Sequence, residues 1–79
     1  MPTGDPPDEA LARAVCRLRK DSGITQEHLA YRAGLTTASL ARIERGRSTP
    51  AWTTVGRIAC ALDVSLVEFV VAVEDACER

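Results

Sequence analysis

Aromatic residues are scarce: Tyr31, Trp52 and Phe69 are the only three in a chain of 79 residues. A stacking platform for single-stranded nucleic acid therefore has little support. There is one histidine, His28, and none of the three cysteines (Cys16, Cys60 and Cys77) sits in a C-x-x-C. A zinc site needs four suitably spaced ligands, so neither a metal nor another cofactor is expected. A disulfide framework is not expected either, and the cysteines read as small buried or half-buried apolar residues. No apolar run approaches the length of a membrane span. The opening Met-Pro-Thr-Gly-Asp-Pro-Pro-Asp-Glu is acidic and lacks an apolar stretch. No signal peptide is expected, and the cytoplasm is the default compartment.

Catalytic patterns are missing as well. There is no nucleophile–base constellation, no carboxylate pair beside a histidine and no Gly-rich phosphate loop. Glu27 and His28 are neighbours on a helix and point to different faces. Neither an enzyme nor a small-molecule substrate is expected. The length bounds the fold to one small domain, which needs very regular helix packing or a partner chain to be stable.

The net charge of −1 hides an asymmetry. Residues 1–12 carry −3, residues 13–57 carry +6, and residues 58–79 carry −4. A basic middle between acidic ends suggests that one face meets a polyanion.

Pro2, Gly4, Pro6 and Pro7 make residues 1–7 an expected flexible arm, and the domain is expected over 8–79. Leu11, Ala14, Val15 and Leu18 recur at helical spacing, so a first helix is expected over about 8–21, ended by Gly23. Thr25 caps a second helix over about 26–33, with His28 where a capping box usually has Glu or Gln. Gly34 stops it. Thr36 caps a third helix over about 37–45, with Leu40 and Ile43 facing inward and Gly46 ending it. Two short helices joined around a glycine match the helix-turn-helix unit. A polar loop, Arg47-Ser48-Thr49-Pro50-Ala51, leads to a fourth helix over about 52–62, on which Trp52 fits the first core position. The last segment is ambiguous, because Val67, Phe69, Val71 and Val73 alternate as in a strand. Ser65 and Glu68 form a capping box, however, and decide for a helix over about 65–77.

Gly23-Ile24-Thr25-Gln26-Glu27-His28-Leu29-Ala30, Ala33-Gly34-Leu35-Thr36, Ile43-Glu44-Arg45-Gly46 and Pro50 together resemble the Cro/lambda-repressor-like (Xre) helix-turn-helix family. The resemblance covers about 11–69, most of the chain. It implies an all-α, compact five-helix lambda-repressor-like domain that binds double-stranded operator DNA. It also implies a homodimer regulating transcription, similar to Cro-type repressors and stand-alone controller proteins, and often regulating its own promoter.

The resemblance assigns roles by position. Thr37, Ala38 and Arg42 match the base-reading positions, where Arg42 suits a guanine edge and Thr37 can donate, accept or offer its methyl. Gln26, Ser39, Arg45, Arg47, Ser48 and Thr49 match positions on or near the phosphates. Arg19 and Glu44 match a structural salt bridge between the first and third helices. Three departures stand out: Cys16 replaces a frequent Arg, Ala38 is small, and Ala51 stands where a capping Ser is common.

Elsewhere the plainer reading of each residue is preferred. His28 is expected to face solvent, Tyr31 to lie on the helix surface, and Trp52 to sit in the core. Arg13, Arg17 and Lys20 form a basic strip that reads either as a solvated face or as steering for the DNA backbone. The final helix has more apolar residues than one stripe needs. Leu66, Phe69, Val70 and Val73 suit the core, and Val67 and Val71 fall outside it. A dimer interface is expected at Val67, Val70, Val71 and Glu74. The alternative is a protein-interaction module, such as an antitoxin or an adaptor that contacts RNA polymerase or another protein.

Overall fold

The computed structural model describes residues 7–77, with side chains from Glu9 onward. It is all-α, and no strand occurs among the described residues. The five helices are α1 (Pro7–Ser22), α2 (Gln26–Ala33), α3 (Thr37–Glu44), α4 (Trp52–Ala61) and α5 (Leu66–Ala76). Each is present where the sequence pattern placed it, with ends displaced by at most one residue. The arm expected over 1–7 lies outside the described residues except for Pro7, which opens α1.

Local chemistry sets the helix ends. Thr25 Oγ1 accepts from the His28 N–H at 3.0 Å, and Thr36 Oγ1 accepts from Ser39 N–H at 3.0 Å. Ser65 and Glu68 close a full capping box. Its two bonds run from Ser65 N–H to Glu68 Oε1 at 2.7 Å and from Glu68 N–H to Ser65 Oγ at 3.0 Å. This reciprocal pair fixes α5 as a helix despite its alternating valines. Ala51 has no side-chain oxygen, and α4 starts without a side-chain cap. Asp63 ends α4 at φ +60°, with Val64 N–H reaching back to Ala59 O at 3.1 Å. The sequence pattern showed only a short break there. Asp is among the few non-glycine residues that tolerate the left-handed region.

Each helix contributes one large, fully buried side chain to the core. Val15, Leu29, Leu40, Ile58 and Phe69 are fully buried. Ala10, Ala14, Ala30, Ala33, Ala59 and Ala72 fill the spaces between them. These small side chains let the helices approach closely. α1 packs on α3 and α5, α2 on α3 and α4, and α4 on α5.

Cys16 and Cys77 are half-buried as expected, but Cys60 is exposed. Three core expectations are also corrected. Trp52 is not buried but 66% exposed. Leu66 and Val70 are also exposed, at 38% and 41%. The physical reason is the same for all three. Phe69 and Ala72, with half-buried Val73, already occupy the inward face of α5. Leu66 and Val70 are rotated off that stripe, and Trp52 stands on the first turn of α4 at the edge of the core. No helix among the described residues is long and apolar enough to cross a membrane.

Candidate nucleic-acid interface

The turn between α2 and α3 creates the site. Gly34 adopts φ +73°, which an L side chain rarely accepts, and its N–H bonds back to Ala30 and Tyr31. Leu35 N–H then reaches Ala30 O at 2.8 Å, closing the turn. Leu40 and Ile43 pin the inner face of α3 to the core. Thr37, Ala38, Ser39 and Arg42 are left exposed on the outer face, with Arg45 just past its end. Thr36 Oγ1 donates to Ser39 Oγ at 2.9 Å while accepting the Ser39 N–H. Ser39 keeps its own hydroxyl hydrogen for an acceptor outside the helix.

Behind this face lies a polar cluster. Arg19 Nε donates to Glu44 Oε2 at 2.8 Å, and Arg19 Nη2 to Glu44 Oε1 at 3.1 Å. Arg19 Nη1 also donates to the Ile24 carbonyl at 3.0 Å. The two side chains are only 13% and 6% exposed. The hydrogen bond to Glu44 is the main cause that pushes the Arg19 pKa above its ordinary value, against a smaller opposing effect of burial. Gln26 Nε2 donates to Glu44 Oε1 at 3.0 Å. This third member was missed in the sequence, because Gln26 and Glu44 are far apart in the chain and no local pattern links them.

The cluster has an electrostatic consequence. Glu44 is the sole carboxylate of α3, and it is turned inward and neutralised by Arg19. The exposed charges of α3 and the segment after it are Arg42, Arg45 and Arg47. A polyanion meets no opposing carboxylate from α3.

The loop after α3 extends the same face. Arg47 and Thr49 are exposed and Ser48 is half-buried. Ser39, Arg42, Ser48 and Thr54 line a shallow cleft of ≈ 200 Å³ between α3 and the start of α4. Thr54 was not singled out in the sequence, and its position in the first turn of α4 was the only available signal.

Other expected residues lie elsewhere. Val67, Val70, Val71 and Glu74 are exposed on α5, which packs on α1 and α4. Arg13, Arg17 and Lys20 line a groove with Ala76 along the seam of α1 and α5, and Arg13 donates to the Ala76 carbonyl. The strip thus runs along that seam, whereas Arg19 reaches toward α3. His28 and Tyr31 face solvent, Tyr31 at 85% exposure. Among the described residues no group of three or more His, Cys, Asp or Glu could hold a metal ion.

A short helix with a pinned apolar face, joined across a glycine turn to the helix before it and presenting arginines outward, defines a helix-turn-helix DNA-binding protein. The chain belongs to the helix-turn-helix domain family, whose model matches residues 10–70. Over 59 residues it is 41% identical to y4dJ of Sinorhizobium fredii, an uncharacterized HTH-type transcriptional regulator, with 75% of this chain and 77% of that protein covered. It is 42% identical over 50 residues to an uncharacterized HTH-type transcriptional regulator of Methanothermobacter thermautotrophicus, covering 63% and 72% of the two chains. Proteins of this class are DNA-binding transcriptional regulators and not enzymes.

Solved structures agree on the fold. The clp gene regulator ClgR of Corynebacterium glutamicum superposes with a TM-score of 0.89 at 23% identity, covering 99% of this chain and 100% of that one. The restriction-modification controller protein C.Esp1396I superposes with a TM-score of 0.86 at 25% identity, covering 91% and 95%. That controller protein has also been solved as a tetramer in complex with its natural 35 base-pair operator. The five-helix, lambda-repressor-like architecture expected from the sequence is the one observed.

Proposed function

We propose that the chain is a homodimeric, sequence-specific regulator that places α3 in the major groove of a palindromic operator. The observation that carries this reading is the outer face of α3. Thr37, Ala38 and Arg42 are exposed there, while the helix's own carboxylate is withdrawn against Arg19.

In this reading Arg42 bonds O6 and N7 of a guanine. Thr37 and Ala38 contact neighbouring base edges, Ala38 through its methyl alone. Ser39, Arg45, Arg47, Ser48 and Thr49 hold the phosphates and set the register. Gln26 adds the second amide hydrogen of Nε2, the first being donated to Glu44, and the free N–H groups of the α2 start. A neighbouring fold bound to its operator supports this docking. The regulator would act in the cytoplasm, and control of its own promoter belongs to the same reading.

The exposed α5 residues support the homodimer. Val67, Val70 and Val71 are 73%, 41% and 47% exposed, and Glu74 borders them. A two-fold pair would set two copies of α3 about 34 Å apart, one DNA turn. The same apolar patch also suits a second reading, in which α5 meets a different protein. Partner stoichiometry separates the two. A self-dimer in isolation favours the regulator, and a monomer unstable alone favours the interaction module.

The test is selection of the purified protein on randomised duplex DNA, followed by titration of the winner at two salt concentrations. A palindromic winner is expected, with a log–log slope of about −0.9 per phosphate neutralised. No enriched sequence at low salt would overturn the proposal.

A further inference from the structure

We infer that Trp52 anchors the contact between two copies of this chain and couples their pairing to the DNA-side loop. The inference rests on the homodimer reading above. Trp52 opens α4 yet leaves 66% of its surface exposed. It does not stand alone. With Leu66, Val67, Val70 and Val71 it walls an apolar hollow of ≈ 290 Å³. It also walls a second hollow of ≈ 220 Å³ together with Thr49, Pro50, Val55 and Phe69. A single indole therefore borders both the α5 patch and the loop that follows α3.

The occupant is a second copy. Trp52, Leu66, Val67, Val70 and Val71 expose 66%, 38%, 73%, 41% and 47% of their surfaces. Together this is on the order of 500 Å² of contiguous apolar surface, within the range that marks a functional patch. A two-fold pair would bury up to about 1,000 Å² from these residues, so their neighbours on α5, Glu74 among them, must add the remainder of the roughly 1,200 Å² of a specific interface. Two-fold pairing also sets the patch against itself, so the valines of one α5 fill the hollow of the other. A fully covered tryptophan in such a hollow has the character of an interface hot spot.

The coupling follows from how α4 begins. Ala51 supplies no side-chain oxygen, so the first N–H groups of α4 have no side-chain cap. A helix start without a side-chain cap is held less firmly than a capped one, so packing on it matters more. A partner seated over Trp52 holds that first turn and, through the second hollow, Thr49 and Pro50. Arg47 and Ser48 lie just upstream, and Thr54 lines the cleft beside Arg42. Pairing thereby orders the phosphate-side groups. Each half of a dimer binds DNA more tightly than a free monomer does, in addition to the gain from linking two half-sites.

The experiment is amide hydrogen exchange on the full chain, below and above the dimer midpoint found by sedimentation. In the wild type, exchange over 47–54 should slow at least tenfold on pairing. W52A should raise the dimer dissociation constant at least tenfold, with W52F intermediate. In W52A held concentrated enough to pair, exchange over 47–54 should stay fast. A51S supplies the missing cap and should slow the first turn of α4 already in the monomer. Wild-type protein that stays monomeric at every concentration overturns the homodimer reading and this inference together. A wild-type dimer with unchanged exchange over 47–54, or a W52A dimer as tight as wild type, overturns this inference alone.

Discussion

Gln26 and Glu44 meet behind the recognition helix, the amide Nε2 donating to Oε1 at 3.0 Å, and the same oxygen takes a second hydrogen bond from Arg19 at 3.1 Å. A residue at the start of α2 is thereby oriented by the last residue of α3, which is itself held by α1. The carboxylate accepts from two donors on Oε1 and one on Oε2. Removing it strands a poorly solvated guanidinium and frees the Gln26 carboxamide together.

Glu44→Gln should therefore destabilise the domain by about 3 kcal/mol, the usual cost of breaking one side of a buried pair. A domain of this size holds only about 4–12 kcal/mol in total, so the loss should be plain in a urea titration. The pH dependence has a definite sign. Arg19 is a cation whose folded pKa is raised, so its contribution is complete below the unfolded value and is lost only above the folded one. The gap in urea midpoint between wild type and Glu44→Gln should stay constant from pH 7 to pH 10. A gap that closes over that window would contradict the assignment.

Arg42→Ala and Arg47→Ala should fail differently. Loss of Arg42 should cost about 1–3 kcal/mol on the selected operator and relax preference at one position of each half-site. Loss of Arg47 should weaken all sequences alike and reduce the salt slope by about one per protomer. Anisotropy titrations on the operator and on scrambled duplex, each at several salt concentrations, separate the two patterns.

Val71→Asp should break self-association while leaving the monomer folded, because Val71 is 47% exposed and outside the core. Sedimentation should show a single monomeric species and circular dichroism an unchanged helix content. A persistent dimer would place the interface elsewhere than on α5.

Gly34→Ala tests the turn. A Cβ there meets nothing within 4 Å, so the only cost is the backbone at φ +73°. The expected loss is about 1–2 kcal/mol. For a domain of this size, each 1 kcal/mol lowers the melting temperature by about 4–8 °C. Ala51→Ser should act the other way and stabilise by about 1 kcal/mol, since it adds the N-cap oxygen that α4 lacks.

The caps show what was legible and why. Thr25, Thr36 and Ser65 each bond an N–H three residues ahead, so their roles are written in adjacent letters of the chain. Apolar spacing inside each helix is equally local, which is why Leu40, Ile43 and Phe69 are assigned to the core from the sequence alone. Trp52 could not be placed this way. Its spacing to Val55 and Ile58 is that of a core residue, and only the position of α5 decides that the stripe has already run out at the first turn.

By itself, then, the sequence determined five helices, their ends, the glycine turn and the outward face of α3, because each depends on contacts within a few residues. The tertiary structure alone decided three things: that Gln26 joins Arg19 on Glu44, that the Arg13–Arg17–Lys20 strip lies along α5, and that Trp52 continues the exposed patch of α5. Each depends on how separate helices are placed against one another. That placement is set by the summed packing of the whole core and by no single stretch of chain.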